Sequence, residues 1–159
     1  MADEIKKNAP IELIVDDGSR TFEIKNTKGA VIGEFTITPS DLGIYERFAK
    51  MQAEIEDIVK PIEEMSEDQY DLEHFTEATE EIKQRLYAAI NKMFGSDEAE
   101  KLFGRLHPFT PVNGQFYFAR VLEVVGAQIN ATFEAETKLF GDTVKKYTNR
   151  ATRRAAAKK

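Results

Sequence analysis

Cysteine is missing from all 159 residues, which excludes disulfides, thiolate metal ligands and a cysteine nucleophile. Histidine is scarce: His74 and His107 are the only two. No apolar run approaches the roughly 20 residues that a membrane-spanning helix requires. The opening stretch MADEIKKNAPIELIVDD has no apolar core beside a small-residue cleavage site, so no secretory signal is expected. The chain is accordingly expected in the cytosol. Gly-x-Ser-x-Gly, Gly-x-Gly-x-x-Gly and Walker A patterns are all lacking. The serines, Ser19, Ser40, Ser66 and Ser96, fall in turn or cap contexts. Asp71-Leu72-Glu73-His74 is the one partial match to the Glu-x-x-His unit of a di-iron bundle, which needs two such units and two further inward carboxylates. Most remaining acids lie on polar helix faces, where nothing would raise a carboxyl pKa for general-acid work. The expectation is a chain without a catalytic, cofactor or metal site.

What is abundant is charge, unevenly distributed. The whole chain carries a formal net charge of −6. Residues 142–159 hold seven bases (Lys145, Lys146, Arg150, Arg153, Arg154, Lys158, Lys159) against Asp142 alone, a net +6. Residues 1–141 therefore carry 15 bases and 27 acids, a net −12, and Glu54–Glu81 alone contains twelve carboxylates with only Lys60 among them. An acidic body argues against nucleic acid as a partner, because phosphate contacts need concentrated positive charge. The acidic run reads as a solvated helix face, or as a docking surface for a basic partner or for the chain's own tail.

Hydrophobic spacing divides the chain into a β-prone beginning and a helical remainder. Residues 1–10 lack periodicity and form a flexible lead-in. Ile11–Asp16 ends at Asp17-Gly18, a hairpin signal. Phe22 and Ile24 alternate with polar neighbours up to Lys28-Gly29, and Val31, Gly33, Phe35 and Ile37 alternate again. These three runs predict an antiparallel meander over 11–38.

Thr38-Pro39-Ser40-Asp41 predicts a helix start, with Thr38 as N-cap. Ile44, Phe48, Met51, Ile55, Ile58, Ile62 and Met65 then recur at alternating spacings of four and three, a heptad seam that Pro61 should kink or end. Ser66–Gln69 offers a second capping box. Leu72, Phe75, Thr79, Ile82, Leu86, Ala89 or Ile90, and Met93 form the next stripe, which stops at Gly95. A short helix over Asp97–Phe103 ends at Gly104, and Arg105–Asn113, with Pro108 and Pro111, is a loop. The final helix begins near Gly114 or Gln115. It places Phe118, Leu122, Val125, Ile129, Phe133, Phe140, Val144 and Tyr147 on one face, and Gly141 makes its end uncertain. Gly126 inside it suggests the close approach of a neighbouring helix. The fold class is therefore α+β: a three-stranded β-meander packed on three long helices and one short one. It forms a single domain over 11–141, with the helical part at 39–141 and a basic C-terminal tail at 142–159. The seam also leaves self-association open.

Several ordered elements carry a resemblance. The meander leads through Thr38-Pro39-Ser40-Asp41 to a helix containing Tyr45-Glu46-Arg47-Phe48. Met93-Phe94-Gly95-Ser96-Asp97-Glu98-Ala99-Glu100-Lys101-Leu102-Phe103-Gly104 follows, then a Pro111 loop and a long helix. The chain closes with Tyr147-Thr148-Asn149-Arg150-Ala151-Thr152-Arg153-Arg154-Ala155. Over most of 20–155 this resembles the tail assembly chaperone-like proteins of siphophages and prophages of Gram-positive bacteria. The resemblance implies a non-enzymatic factor in the host cytoplasm that binds the tape measure protein and recruits tail-tube subunits. Such a factor leaves before the virion matures, and many exist in a short and a frameshifted longer form.

An amphipathic tape-measure helix would be held in an apolar groove. The residues expected to receive it are Ile44, Phe48, Met51, Ile55, Phe75, Ile82 and Leu86. The basic residues Lys145, Lys146, Arg150, Arg153 and Arg154 form a separate candidate surface. Two alternatives stand beside this one: a virion component such as a head–tail connector or minor tail protein, and a small nucleic-acid-binding regulator using the basic tail.

Overall fold

A computed structural model describes residues 8–65, 68 and 71–157, with the side chains at 144, 146–153, 155 and 157 outside that description. Most of the lead-in and the Ser66–Gln69 capping box therefore lie outside the described residues. The α+β class holds, but the meander does not. Strands β1 (Arg20–Lys25) and β2 (Val31–Ile37) form a two-stranded antiparallel hairpin. Residues 11–19 stay irregular, and Ile11, Leu13, Ile14 and Val15 are between 84% and 99% exposed. The Asp17-Gly18 signal reflects local turn chemistry instead. Asp16 Oδ1 accepts from the Gly18 N–H and Asp17 Oδ1 from the Ser19 N–H, both at 2.9 Å. Gly18 takes a φ of 76° without folding the chain back.

The hairpin itself is well specified. Asn26 Oδ1 accepts from the N–H groups of Lys28 and Ala30, and Gly29 supplies a φ of 84°. The register pairs Phe22 with Phe35, whose rings stack at 5.1 Å. Phe35 and Ile37 are buried on the inner face.

Helix α1 (Leu42–Glu63) starts at Asp41 rather than Thr38. Thr38–Asp41 closes its own turn, the Asp41 N–H reaching the Thr38 carbonyl at 3.1 Å. Pro39 suits such a turn as well as it suits a first helical position. Helix α2 (Leu72–Phe94) is capped by Asp71 and ends at Gly95 in the left-handed conformation, as the stripe predicts. The two helices run antiparallel: Arg47, early in α1, donates to the Met93 carbonyl, and Glu54 meets Lys92 at 3.5 Å. Pro61 lies inside α1, which ends two residues later at Glu63.

Helix α3 (Ala99–Phe103) locks the hairpin to the helices. The Ala99 N–H donates to Asn91 Oδ1 at 2.8 Å, and Glu98 Oε2 accepts from the Thr36 N–H at 3.2 Å. The second bond occupies the side of β2 that faces away from β1. Backbone meets backbone at this joint. A Cβ on Gly33 would stand 2.1 Å from the Leu102 oxygen, and one on Gly104 would stand 2.2 Å from the Ile32 oxygen. Only glycine permits that approach.

The Arg105–Asn113 segment is not loop throughout: its end forms a second hairpin with the residues that follow, β3 (Pro111–Val112) and β4 (Gln115–Phe116) being joined by Asn113-Gly114. Both turn residues take positive φ, 51° and 80°, the geometry a two-residue hairpin requires. The loop carbonyls of Thr110 and Pro108 then accept from the first N–H groups of helix α4 (Tyr117–Ala157). Gly141 does not break α4, so the segment at 142–157 continues the last helix. One core of buried side chains draws on β2 and all four helices.

Candidate partner-binding surface

The residues expected to receive a partner are mostly used by the fold itself. Ile44, Met51, Ile55, Ile82 and Leu86 are buried, between 0% and 7% exposed, and pack in the common core. Phe48 is partly buried, its ring 3.0 Å from where a Gly126 Cβ would sit. That contact accounts for the glycine in α4. Phe75 is also partly buried and stacks on Phe116 at 6.2 Å. In this conformation the α1–α2 seam faces inward, so six of the seven side chains lie against the interior or against α4. Phe75 borders an open depression beside Leu72, Thr76, His107 and Pro111, and Met51 lines a smaller one beside Arg47, Lys50 and Lys92.

The apolar surface that stays open lies elsewhere. Where the start of α1 meets the middle of α4, Ser40, Leu42, Phe133, Glu136, Thr137 and Phe140 line a shallow groove of about 400 Å³. Leu42 is 80% exposed, Phe140 69% and the adjoining Leu139 61%. Phe133 is held in turn by Tyr45, which packs edge-on against it at 4.7 Å and donates from its hydroxyl to Asn130 Oδ1 at 2.7 Å. Asp41 and Arg47 brace the same corner at 2.7 Å, and both this pairing and the Gly43 N–H hold the Asp41 carboxyl below its ordinary pKa. Beyond Phe133 the described side chains of α4 are exposed apart from the partly covered Gly141, so the helix leaves the body. Its stretch past residue 133 is on the order of 35 Å long at 1.5 Å per residue.

Compared with protein-family models, with curated proteins and with solved structures, the chain matches none. The surface must therefore be judged from its own chemistry. Lys145 and Arg154 are exposed on the distal part of α4, and the side chains of Lys146, Arg150 and Arg153 lie outside the described residues. Among the described residues no three His, Asp or Glu side chains gather as a metal site, and no helix is long and apolar enough to cross a membrane.

The two histidines have local partners. His74 Nδ1 contacts Asp71 Oδ2 at 2.5 Å beside the α2 N-cap, and the backbone and side-chain bonds from His74 lower the Asp71 pKa. His107 Nδ1 accepts from the Phe109 N–H at 3.1 Å, leaving the proton of the neutral ring on Nε2. That atom is buried and sits 3.8 Å from Glu80 Oε2, beyond hydrogen-bond reach. Burial, with Lys83 adding to it, pushes the His107 pKa down against the opposing pull of Glu80.

The groove was not legible as a site from periodicity. Leu42 precedes the seam, and Leu139 lies off the stripe that contains Phe140. Their exposure follows from where α4 outruns the body.

Proposed function

We propose that this chain is a non-catalytic tail assembly chaperone that holds the tape measure protein, and with it tail-tube subunits, before tail assembly. The observation that carries the reading is the open groove of Leu42, Phe133 and Phe140 at the root of a helix that leaves the body. An amphipathic helix laid there would cover its own apolar stripe on Leu42, Leu139 and Phe140. The acidic body keeps such a complex in solution through its net charge. The receiving surface is thus moved from the α1–α2 seam to the α1–α4 groove.

Co-expression with a tape measure protein tests this. Wild type should co-purify with it and raise its soluble yield, whereas Leu42→Asp combined with Phe140→Asp should lose it. Both side chains are solvent-exposed, so the variant should keep the wild-type melting temperature. A tape measure equally soluble alone, or captured undiminished by the double variant, would sink the proposal. Mass spectrometry of purified particles separates this reading from a virion component, since a chaperone is absent from them.

A further inference from the structure

Two unsatisfied features of this chain fit each other. The first is the Ile11–Val15 segment. It is a β-prone run with four large aliphatic side chains in solvent, and among the described residues its backbone makes no hydrogen bond to another backbone group. The second is the outer edge of β1. Among the described residues the sheet has two strands, and the far side of β2 is taken by α3 and Glu98, so β1 is the open edge. Phe22 and Ile24 on its inner face are only partly covered. An apolar strand without an acceptor and a sheet edge without a donor are the two halves of strand addition.

We propose that Ile11–Asp17 of one copy pairs antiparallel with β1 of a second copy, each copy giving one strand and receiving one. The side-chain pattern selects the register. With Leu13 opposite Ile24 and Val15 opposite Phe22, Ile11, Leu13 and Val15 fall on the core face and extend the Phe22–Phe35 layer, while Ile14 lies on the outer face opposite Glu23. The same register sets Glu12 beside Lys25 on the outer face and Asp17 beside Arg20 at the other end. The donor carries three acids and no base, while the acceptor has a base at each end, so the charges match at both ends of the strand pair. A parallel arrangement that keeps the apolar residues inward forms only one such pair, Asp16 with Lys25.

Cis pairing in this register would need a two-residue turn at Gly18-Ser19, and the structure does not form it. Among the described residues β1 pairs with β2 alone, and the Asp16 and Asp17 carboxylates take the Gly18 and Ser19 N–H groups. Reciprocal exchange makes the contact self-complementary, so it closes as a two-fold dimer rather than a filament. The pairing does not depend on which partner the α1–α4 groove holds.

The full-length protein should sediment as a dimer across a dilution series. Leu13→Asp with Val15→Asp should give a monomer of unchanged circular dichroism, because both side chains are largely in solvent. Glu12→Lys should weaken dimerisation about tenfold, as expected when two symmetry-related exposed pairs are reversed, and adding Lys25→Glu should restore it. The cysteine-free background allows a direct check. A mixture of the single variants Glu12→Cys and Lys25→Cys should oxidise to a disulfide containing one chain of each. A monomeric wild type, a dimer indifferent to Leu13→Asp with Val15→Asp, or a Glu12→Cys/Lys25→Cys double variant that closes within one chain would each overturn the proposal.

Discussion

Replacing Gly33 by alanine isolates the joint between the hairpin and α3. The new Cβ would lie 2.1 Å from the Leu102 oxygen and 2.9 Å from its carbon, and both are backbone atoms. Reaching ordinary contact at 3.4 Å requires a displacement of about 1.3 Å, with no side chain free to rotate away. Moving α3 by that amount would stretch the 3.2 Å bond from the Thr36 N–H to Glu98 and disturb the matching approach of Gly104 to Ile32. Overpacking of this kind costs about 1–3 kcal/mol, and the backbone clash places Gly33→Ala at the top of that range, ~3 kcal/mol. For a chain of this length that is a fall of about 6–12 °C in melting temperature.

Two other glycines calibrate the effect. Gly126→Ala meets the Phe48 ring at 3.0 Å, a side chain that can tilt, so a loss of about 1 kcal/mol is expected. Gly141→Ala meets nothing within 4 Å and should add helicity, worth up to ~1 kcal/mol. Urea unfolding of the three variants should rank them in that order, with Gly141→Ala opposite in sign. If Gly33→Ala cost less than Gly126→Ala, the backbone-to-backbone joint would not exist in solution.

Two further predictions concern acid sensitivity. Asp41 caps α1 and pairs with Arg47, and its folded pKa lies below the ordinary 3.8. Its contribution is therefore complete above that value and is lost as pH falls through the lowered one. Asp41→Ala should cost about 1 kcal/mol at neutral pH, and the difference from wild type should shrink in denaturation series taken below pH 4. His107 is lowered from 6.5 by burial, so its neutral form stabilises the fold fully above pH 6.5, and that stability drains as acid protonates the unfolded chain first. The variant His107→Asn keeps an acceptor for the Phe109 N–H and should flatten the slope that opens below pH 6.5. His107→Ala leaves that N–H unpaired, costing about 1–3 kcal/mol.

Periodicity recovered the helices because each buries one face against the others. Ile44, Met51 and Ile62 of α1 and Ile82, Leu86 and Met93 of α2 are all buried, and Gly95 and Gly104 end their helices as expected. Burial also explains the misplaced receiving surface. A heptad seam looks the same whether it covers its own neighbour or waits for a partner, and nothing local distinguishes the two. Ile11–Asp16 went wrong for a related reason. β-propensity describes fitness for a half-buried pleated surface, and it does not supply the neighbouring strand. The Asn113-Gly114 hairpin was readable from its positive-φ dipeptide, but two prolines nearby drew the whole segment into a loop. The continuation of α4 through Gly141 rests on a penalty of only about 1 kcal/mol, too small by itself to end a long helix.

The Met93–Gly104 segment, on which the proposed reading partly draws, is consumed by architecture. Gly95 caps α2, Glu98 and Asn91 tie α3 to its neighbours, Leu102 and Phe103 are buried, and Gly104 admits the hairpin. Such a segment can be shared by proteins with one fold and different partners. The discriminating residues are those that the described structure leaves exposed: Ile11–Val15, Leu42 and Phe140 at the groove, and Lys145 and Arg154 on α4. A scattered exposed leucine needs no explanation, but four aliphatic residues in one strand-length run do. If these surfaces serve partners, charge substitutions there should leave stability within about 0.5 kcal/mol of wild type while changing association. Substitutions in Met93–Gly104 should do the reverse. That separation distinguishes residues kept for folding from residues kept for binding, and it can be measured on the purified chain before any partner is in hand.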